Sequence, residues 1–186
     1  MANVLITRLV GFAVILAVFV VAVGAYTRLA DAGLGCPDWP GCYGFLTVPE
    51  AVADVSLAEA RYPDAPVEVT KAWWEMGHRY IAGALLLLVF AIFVVAWRGR
   101  QENTPTTFMS VLLVIILCQA AFGAWTVTLK LWPQVVTAHL LGGFTTLSLL
   151  WLVLLRQGVF PSIHRGLPTP GKHAVIALVA VIGQIA

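Results

Sequence analysis

Residues 75–97 open with Glu75-Met76-Gly77-His78-Arg79-Tyr80-Ile81-Ala82-Gly83 and continue without a charge from Ala84 to Trp97. At about 1.5 Å per helical residue, the run from Met76 to Trp97 is long enough to cross about 30 Å of hydrocarbon. Ionisable groups at the end of a membrane helix are costly, so Glu75, His78 and Arg79 are functional candidates by default. Glutamate and histidine three apart share one helical face. The stretch therefore sets both the environment of the chain and the first half of a candidate site.

Three further apolar runs lie on either side of it: Leu9 to Ala25, Phe108 to Thr128 and Val135 to Leu155. Arg98-Gly99-Arg100 with Thr104-Pro105 punctuates one junction, and Lys130 with Trp132-Pro133 another. The chain is 60% hydrophobic and only 11% charged, with a mean hydropathy of +0.91, whereas soluble domains carry about 25% charged residues. The expected fold is all-α, a polytopic membrane four-helix bundle. A net charge of +2, with dispersed basic residues, gives no footprint for nucleic acid. Three cysteines are too few for a disulfide-dense secreted scaffold.

Lys and Arg set the expected orientation, because cytoplasmic flanks carry the excess. Arg8, Arg98, Arg100, Arg156, Arg165 and Lys172 share one side if the helices alternate, which places the amino terminus in the cytoplasm. The acidic segment 26–74 becomes a long outer loop. A secretory signal peptide is the competing reading of the first run, with Val23-Gly24-Ala25 imitating a cleavage site. Ala174 to Ala186 is a fifth apolar run that would span only about 20 Å as a helix. It reads as the start of a fifth transmembrane helix, with a re-entrant or surface segment as the alternative. The expected division is thus a four-helix unit over 1–160, a cytoplasmic linker over 161–173, and the start of a truncated second half over 174–186.

His139, in Val136-Thr137-Ala138-His139-Leu140-Leu141-Gly142-Gly143, supplies a partner for His78. His78 stands about 30 Å above Arg98 and His139 about 25 Å above Arg156 along their helices, so both imidazoles lie at similar depth near the outer face. A planar macrocycle held between helices takes an axial imidazole on each side. Gly77, Gly83, Gly142 and Gly143 would let helices or a porphyrin approach closely. A hydrogen-bonded packing histidine is the alternative for each. Glu75, one turn before His78, could hold or pass a proton, or act only as an interfacial carboxylate. A di-iron carboxylate site would need its Glu-x-x-His motif twice, and the His139 segment has no glutamate.

Arg79 and Arg28 have two readings each, a fork for the anionic carboxylates of a tetrapyrrole or a side chain snorkelling to the interface. In Cys36-Pro37-Asp38-Trp39-Pro40-Gly41-Cys42 the prolines and glycine favour a bend that brings two sulfurs within bridging reach, in a compartment expected to be oxidising. Two free thiols remain the alternative. Cys118 reads as a small core residue, and His164 and His173 as solvated inner-loop residues. Trp73, Trp74, Trp97 and Trp132 read as an aromatic belt.

Taken together, Gly24-Ala25-Tyr26-Thr27-Arg28-Leu29, Gly33-Leu34-Gly35-Cys36-Pro37-Asp38-Trp39-Pro40, Glu75-Met76-Gly77-His78-Arg79, Gln119 to Val127 and Pro133 to His139 resemble, in this order, the heme A synthases. The resemblance covers most of the chain. It implies an oxidoreductase of the cell inner membrane that converts the C8 methyl of heme O to the formyl group of heme A for terminal oxidases. It also implies eight helices in two similar halves. His78 and His139 would be axial ligands of the reacting heme O, Glu75 would assist the oxidation, and Cys36 with Cys42 would form the loop disulfide. A heme b that handles electrons is expected in the second half. The expected partners are heme O and heme A, the lipid bilayer, heme O synthase, cytochrome oxidase assembly proteins and a homo-oligomer. A membrane b-type cytochrome that relays electrons, or a non-catalytic heme-handling assembly factor, stays open as the alternative function.

Overall fold

Lipid offers no hydrogen-bond partner, so a chain that crosses it must close its backbone bonds internally. The computed structural model, which describes residues 4–99 and 106–157, does this with helices. In chain order they are α1 (Val4–Leu29), α2 (Val52–Arg61), α3 (Val69–Gly99), α4 (Thr106–Thr128) and α5 (Pro133–Arg156). α1, α3, α4 and α5 are long and apolar enough to cross a membrane. The chain is a multi-pass membrane protein. The segments 161–173 and 174–186, together with Arg100, His164, Arg165, Lys172 and His173, lie outside the described residues.

The four long helices form a ring in which α1 packs on α3 and α5, and α4 packs on the same two. α3 and α5 are therefore diagonal partners, as are α1 and α4. One end of the ring is filled by an apolar core. Ile6, Val10, Ala13, Val14 and Ala17 of α1 meet Leu85, Val89, Ile92 and Ala96 of α3, Met109, Leu112 and Ile116 of α4, and Leu150, Val153 and Leu154 of α5. The steps of three and four residues put each set on one stripe of its helix. Above this core the filling stops at a common level. No residue is buried between Ala17 and Thr27 of α1, Met76 and Leu85 of α3, Ile116 and Val127 of α4, or Val135 and Thr146 of α5. This open section is roughly 14–17 Å tall by helical rise.

Each helix runs past the apolar segment that marks it in the sequence. The largest difference is at α3, which begins at Val69, so that Glu75 and His78 sit two to three turns inside it and not at its start. The reason is a second core outside the membrane section. Cys36, Cys42, Tyr43, Val48 and Ala58 of the outer loop pack on Ala72 and Met76 of α3, with Val67 and Val69 at the edge. This core also fixes α2, a helix within the segment expected to be a long loop.

The loop is pinned at several points. Cys36 and Cys42 are joined by a disulfide with their Cα atoms 4.8 Å apart. Cys42 and Phe45 exchange backbone hydrogen bonds of 2.8 and 3.0 Å across a two-residue turn in which Tyr43 and Gly44 have φ of 55° and 81°, the pairing of positive angles that a tight hairpin needs. The N–H groups of Tyr43 and Gly44 donate to the Asp38 carboxylate at 2.6 and 2.7 Å, and the Tyr43 hydroxyl donates to the Pro66 carbonyl at 3.0 Å. Burial, reinforced by the carboxylates of Glu68, Glu75, Glu59 and Asp38, pushes the Tyr43 phenol up, so it remains a donor at neutral pH. Trp73, Trp74 and Trp132 are exposed near this end of the bundle and Trp97 near the other, the distribution expected of interfacial anchors.

Candidate functional site

Glu75 is the buried acid of the site, 5% exposed. Its position follows from α3 and the outer loop together. Gly35 brings the loop backbone directly against α3, since a Cβ there would stand 2.6 Å from the Lys71 carbonyl carbon and 2.7 Å from the Ala72 nitrogen. Only glycine permits that approach. The following N–H, that of Cys36, then donates to Glu75 Oε2 at 3.0 Å. Oε1 accepts from Arg79 Nη2, one turn further along α3. Arg79 Nη1 in turn donates to the carbonyls of Gly41 and Pro40, inside the disulfide loop. Glu75 and Arg79 are thus a tied pair beneath the loop. Of the two arginines expected to meet a ligand, Arg79 has both terminal nitrogens engaged within the protein, and Arg28 is exposed at the last turn of α1.

The two histidines come from diagonal helices, His78 from α3 and His139 from α5, and both belong to the level at which the four helices stop burying side chains. Each is half-buried, and in each the Nδ1 atom is buried and has no hydrogen-bond partner. An unpaired polar atom in such a place is costly unless something else satisfies it. The surrounding surface is thin, since Gly24 of α1 faces the His78 ring and Gly123 of α4 faces the His139 ring. Gly142, one turn beyond His139, is covered by the Gln119 side chain, while Gly77 and Gly83 of α3 face open space. Thr146 returns its hydroxyl to the Gly142 carbonyl at 2.9 Å, which satisfies a buried polar group at the floor of the section.

Glu75, His78, Arg79 and His139 are thereby collected at one end of the bundle, with the Cys36–Cys42 loop above them. Cys118 differs from its expected place in the core, being a free thiol exposed on the outer surface of α4. α4 is apolar on most sides, and the mid-helix polar residue that marks its inner face is Gln119, whose side chain covers Gly142 of α5. Gly24, Gly123 and Gln119 are not among the expected site residues, although all three lie within the stretches Gly24 to Leu29 and Gln119 to Val127 that carry the resemblance. Among the described residues no cluster of three or more His, Cys, Asp or Glu side chains could hold a bare metal ion. Two imidazoles on diagonal helices suit a metal that brings further ligands of its own.

Residues 7–186 match the family of cytochrome oxidase assembly proteins. A heme A synthase of Shewanella oneidensis is 43% identical over 182 residues, which cover 97% of this chain and 54% of that protein. A heme A synthase of Chelativorans sp. is 29% identical over 197 residues, 94% of this chain and 53% of that protein. A protoheme IX farnesyltransferase of Natronomonas pharaonis is 32% identical over 108 residues, 58% of this chain and 19% of that protein. The chain spans about half the length of the heme A synthases that it matches.

Proposed function

Because the chain belongs to the family of cytochrome oxidase assembly proteins, we propose that it carries the substrate-holding half of a heme A synthase, with heme O held between His78 and His139. The observation that carries this reading is the pair of buried, unpartnered Nδ1 atoms on diagonal helices at the unfilled level of the bundle. The donor set fits the group, because neutral imidazole is an axial ligand for heme iron. A bound heme supplies the iron and the ring methyl that is oxidised. His78 and His139 orient the macrocycle, and the apolar core below closes the floor to water. Glu75, one turn from His78, is assigned the proton transfers that accompany conversion of the methyl to a formyl group. Arg79 and the disulfide loop hold that carboxylate in place. Arg28 is assigned to the carboxylates of the substrate. The heme b that handles the electrons of this oxidation is assigned to the part of the relatives' length that this chain does not span.

The direct test is conversion. In membranes that make heme O and have no heme A synthase of their own, the protein, supplied with the part of a heme A synthase that it does not span, is expected to yield heme A by chromatography of extracted hemes. Heme that is bound but not converted would favour the electron-relay or heme-handling reading, and absence of both would overturn the assignment.

We also propose that the amino terminus is cytoplasmic and that the outer loop faces the periplasm of an inner membrane, as the placement of Arg8, Arg98 and Arg156 supports. The proposed partners are the bilayer, heme O synthase, oxidase assembly proteins and a second copy of the chain. Ser56 is exposed on α2, so Ser56→Cys is expected to react with a membrane-impermeant maleimide in spheroplasts. Labelling only after lysis would reverse the orientation.

A further inference from the structure

The imidazoles are seated on the two helices that do not carry them. His78 lies against α1, where the Val20 carbonyl is within hydrogen-bonding reach of the ring. A Cβ on Gly24 would stand 2.8 Å from its Cε1, 3.3 Å from Nε2 and 3.4 Å from Nδ1. His139 meets α4 in the same way. The Gln119 carbonyl is within reach of its ring, and a Cβ on Gly123 would stand 3.3 Å from Cε1 and 3.8 Å from Nε2. Val20 precedes Gly24 by four residues, and Gln119 precedes Gly123 by four.

That spacing has a physical meaning. The Cα–Cβ bond of a helical residue tilts toward the helix amino terminus and over the preceding turn. A side chain at i+4 therefore lies beside the carbonyl of residue i, which is why serine and threonine can bond back to it. Glycine at i+4 uncovers that carbonyl and leaves room for the edge of a ring. A ring nitrogen that donates to the carbonyl is fixed as the N–H, and the other nitrogen keeps its lone pair.

Resting on the reading of His78 and His139 as heme ligands, we propose that Gly24 and Gly123 are positioning residues for them. Each leaves a backbone carbonyl bare, so that the Cε1 edge of the ring seats against the neighbouring helix with its orientation and tautomer set before the substrate arrives. All four helices of the ring then have a part in the ligation, two by carrying an imidazole and two by orienting it.

The test uses the 186-residue chain in lipid nanodiscs, titrated with ferric protoporphyrin and read by electron paramagnetic resonance and by carbon monoxide binding after reduction. The wild type is expected to be low-spin and closed to carbon monoxide. Gly24→Ala, whose Cβ overlaps the His78 ring, is expected to lose the low-spin signal and to bind carbon monoxide while retaining heme on His139. Added free imidazole should restore the low-spin state. Gly123→Ala asks the His139 ring to yield by only tenths of an ångström, and is expected to stay low-spin with shifted g values. Gly11→Ala, on the same helix as Gly24 but with its Cβ 3.9 Å from Leu154 Cδ1, is expected to match the wild type. Should Gly24→Ala fail to fold, the g-value shift of Gly123→Ala against Gly11→Ala decides the matter. Spectra of the foldable Gly24 and Gly123 variants identical to wild type would overturn the proposal. A wild type that takes heme with no low-spin signal would overturn the ligand assignment beneath it.

Discussion

His78→Ala and His139→Ala are each expected to weaken heme binding by at least about 100-fold and to bring heme O conversion below detection, while leaving the fold intact. Loss of a group that only supports a metal ligand already costs about 10–100-fold, so loss of the ligand itself sets a floor at the top of that range. No substitute is at hand. Among the described residues the free thiol, Cys118, is exposed on the outside of α4, the thioethers of Met76 and Met109 are packed in the loop core and the apolar core, and no group of three or more His, Cys, Asp or Glu side chains could hold a metal. The fold should survive because the packed apolar core lies at the other end of the ring, from Ile6 to Ala17 and from Leu85 to Ala96. The imidazole nitrogens left unpartnered give up nothing when they are removed. Heme titration followed by absorbance, beside a thermal unfolding scan, checks both halves of the expectation. Wild-type affinity in both single variants would remove the pair from the site.

The membrane helices could be read from the sequence because lipid imposes continuous apolarity on any segment that crosses it. Their ends could not. Val69 to Trp74 includes Lys71 and contributes nothing to a hydropathy run, yet it is helical because Ala72 packs into the loop core. α2 was hidden for a related reason, since Ala51 offers no side-chain cap to mark its start. What marked that region was its length, because a loop as long as 26–74 without secondary structure is uncommon in a compact domain.

The candidate site divides in the same way. His78 and His139 stand out as ionisable groups in lipid-crossing segments, and their similar depth follows from helical rise alone. Glu75 stands out too, but its Cys36 partner is 39 positions away in sequence and is set by the folded loop. Gly24 and Gly123 do not stand out, because glycine is common in membrane helices and only the packed neighbour shows which ones leave room for a ring. In a helix that is apolar on every side, the inward face is decided by its partners.

Glu75→Gln is expected to lower conversion of heme O by about 10²–10⁴-fold, the range for a lost general acid or base, with heme binding retained. The difficulty is that Glu75 also holds structure. Its side chain is 6% exposed and that of its partner Arg79 is 13% exposed, and removing one member of a buried ion pair costs about 3–5 kcal/mol. Glutamine still accepts from the Cys36 N–H, which limits the damage on the loop side, but Arg79 loses its counter-charge in either case. Arg79→Gln breaks the same ion pair and leaves the carboxylate in place, so it reports the cost of loosening the clamp alone. Compared below the unfolding transition of both variants, Arg79→Gln should convert heme O faster than Glu75→Gln, because it keeps the carboxylate that passes the proton. Equal rates in the two variants would mean that the carboxylate serves only to hold Arg79 and the disulfide loop against α3, and that the proton passes through another group.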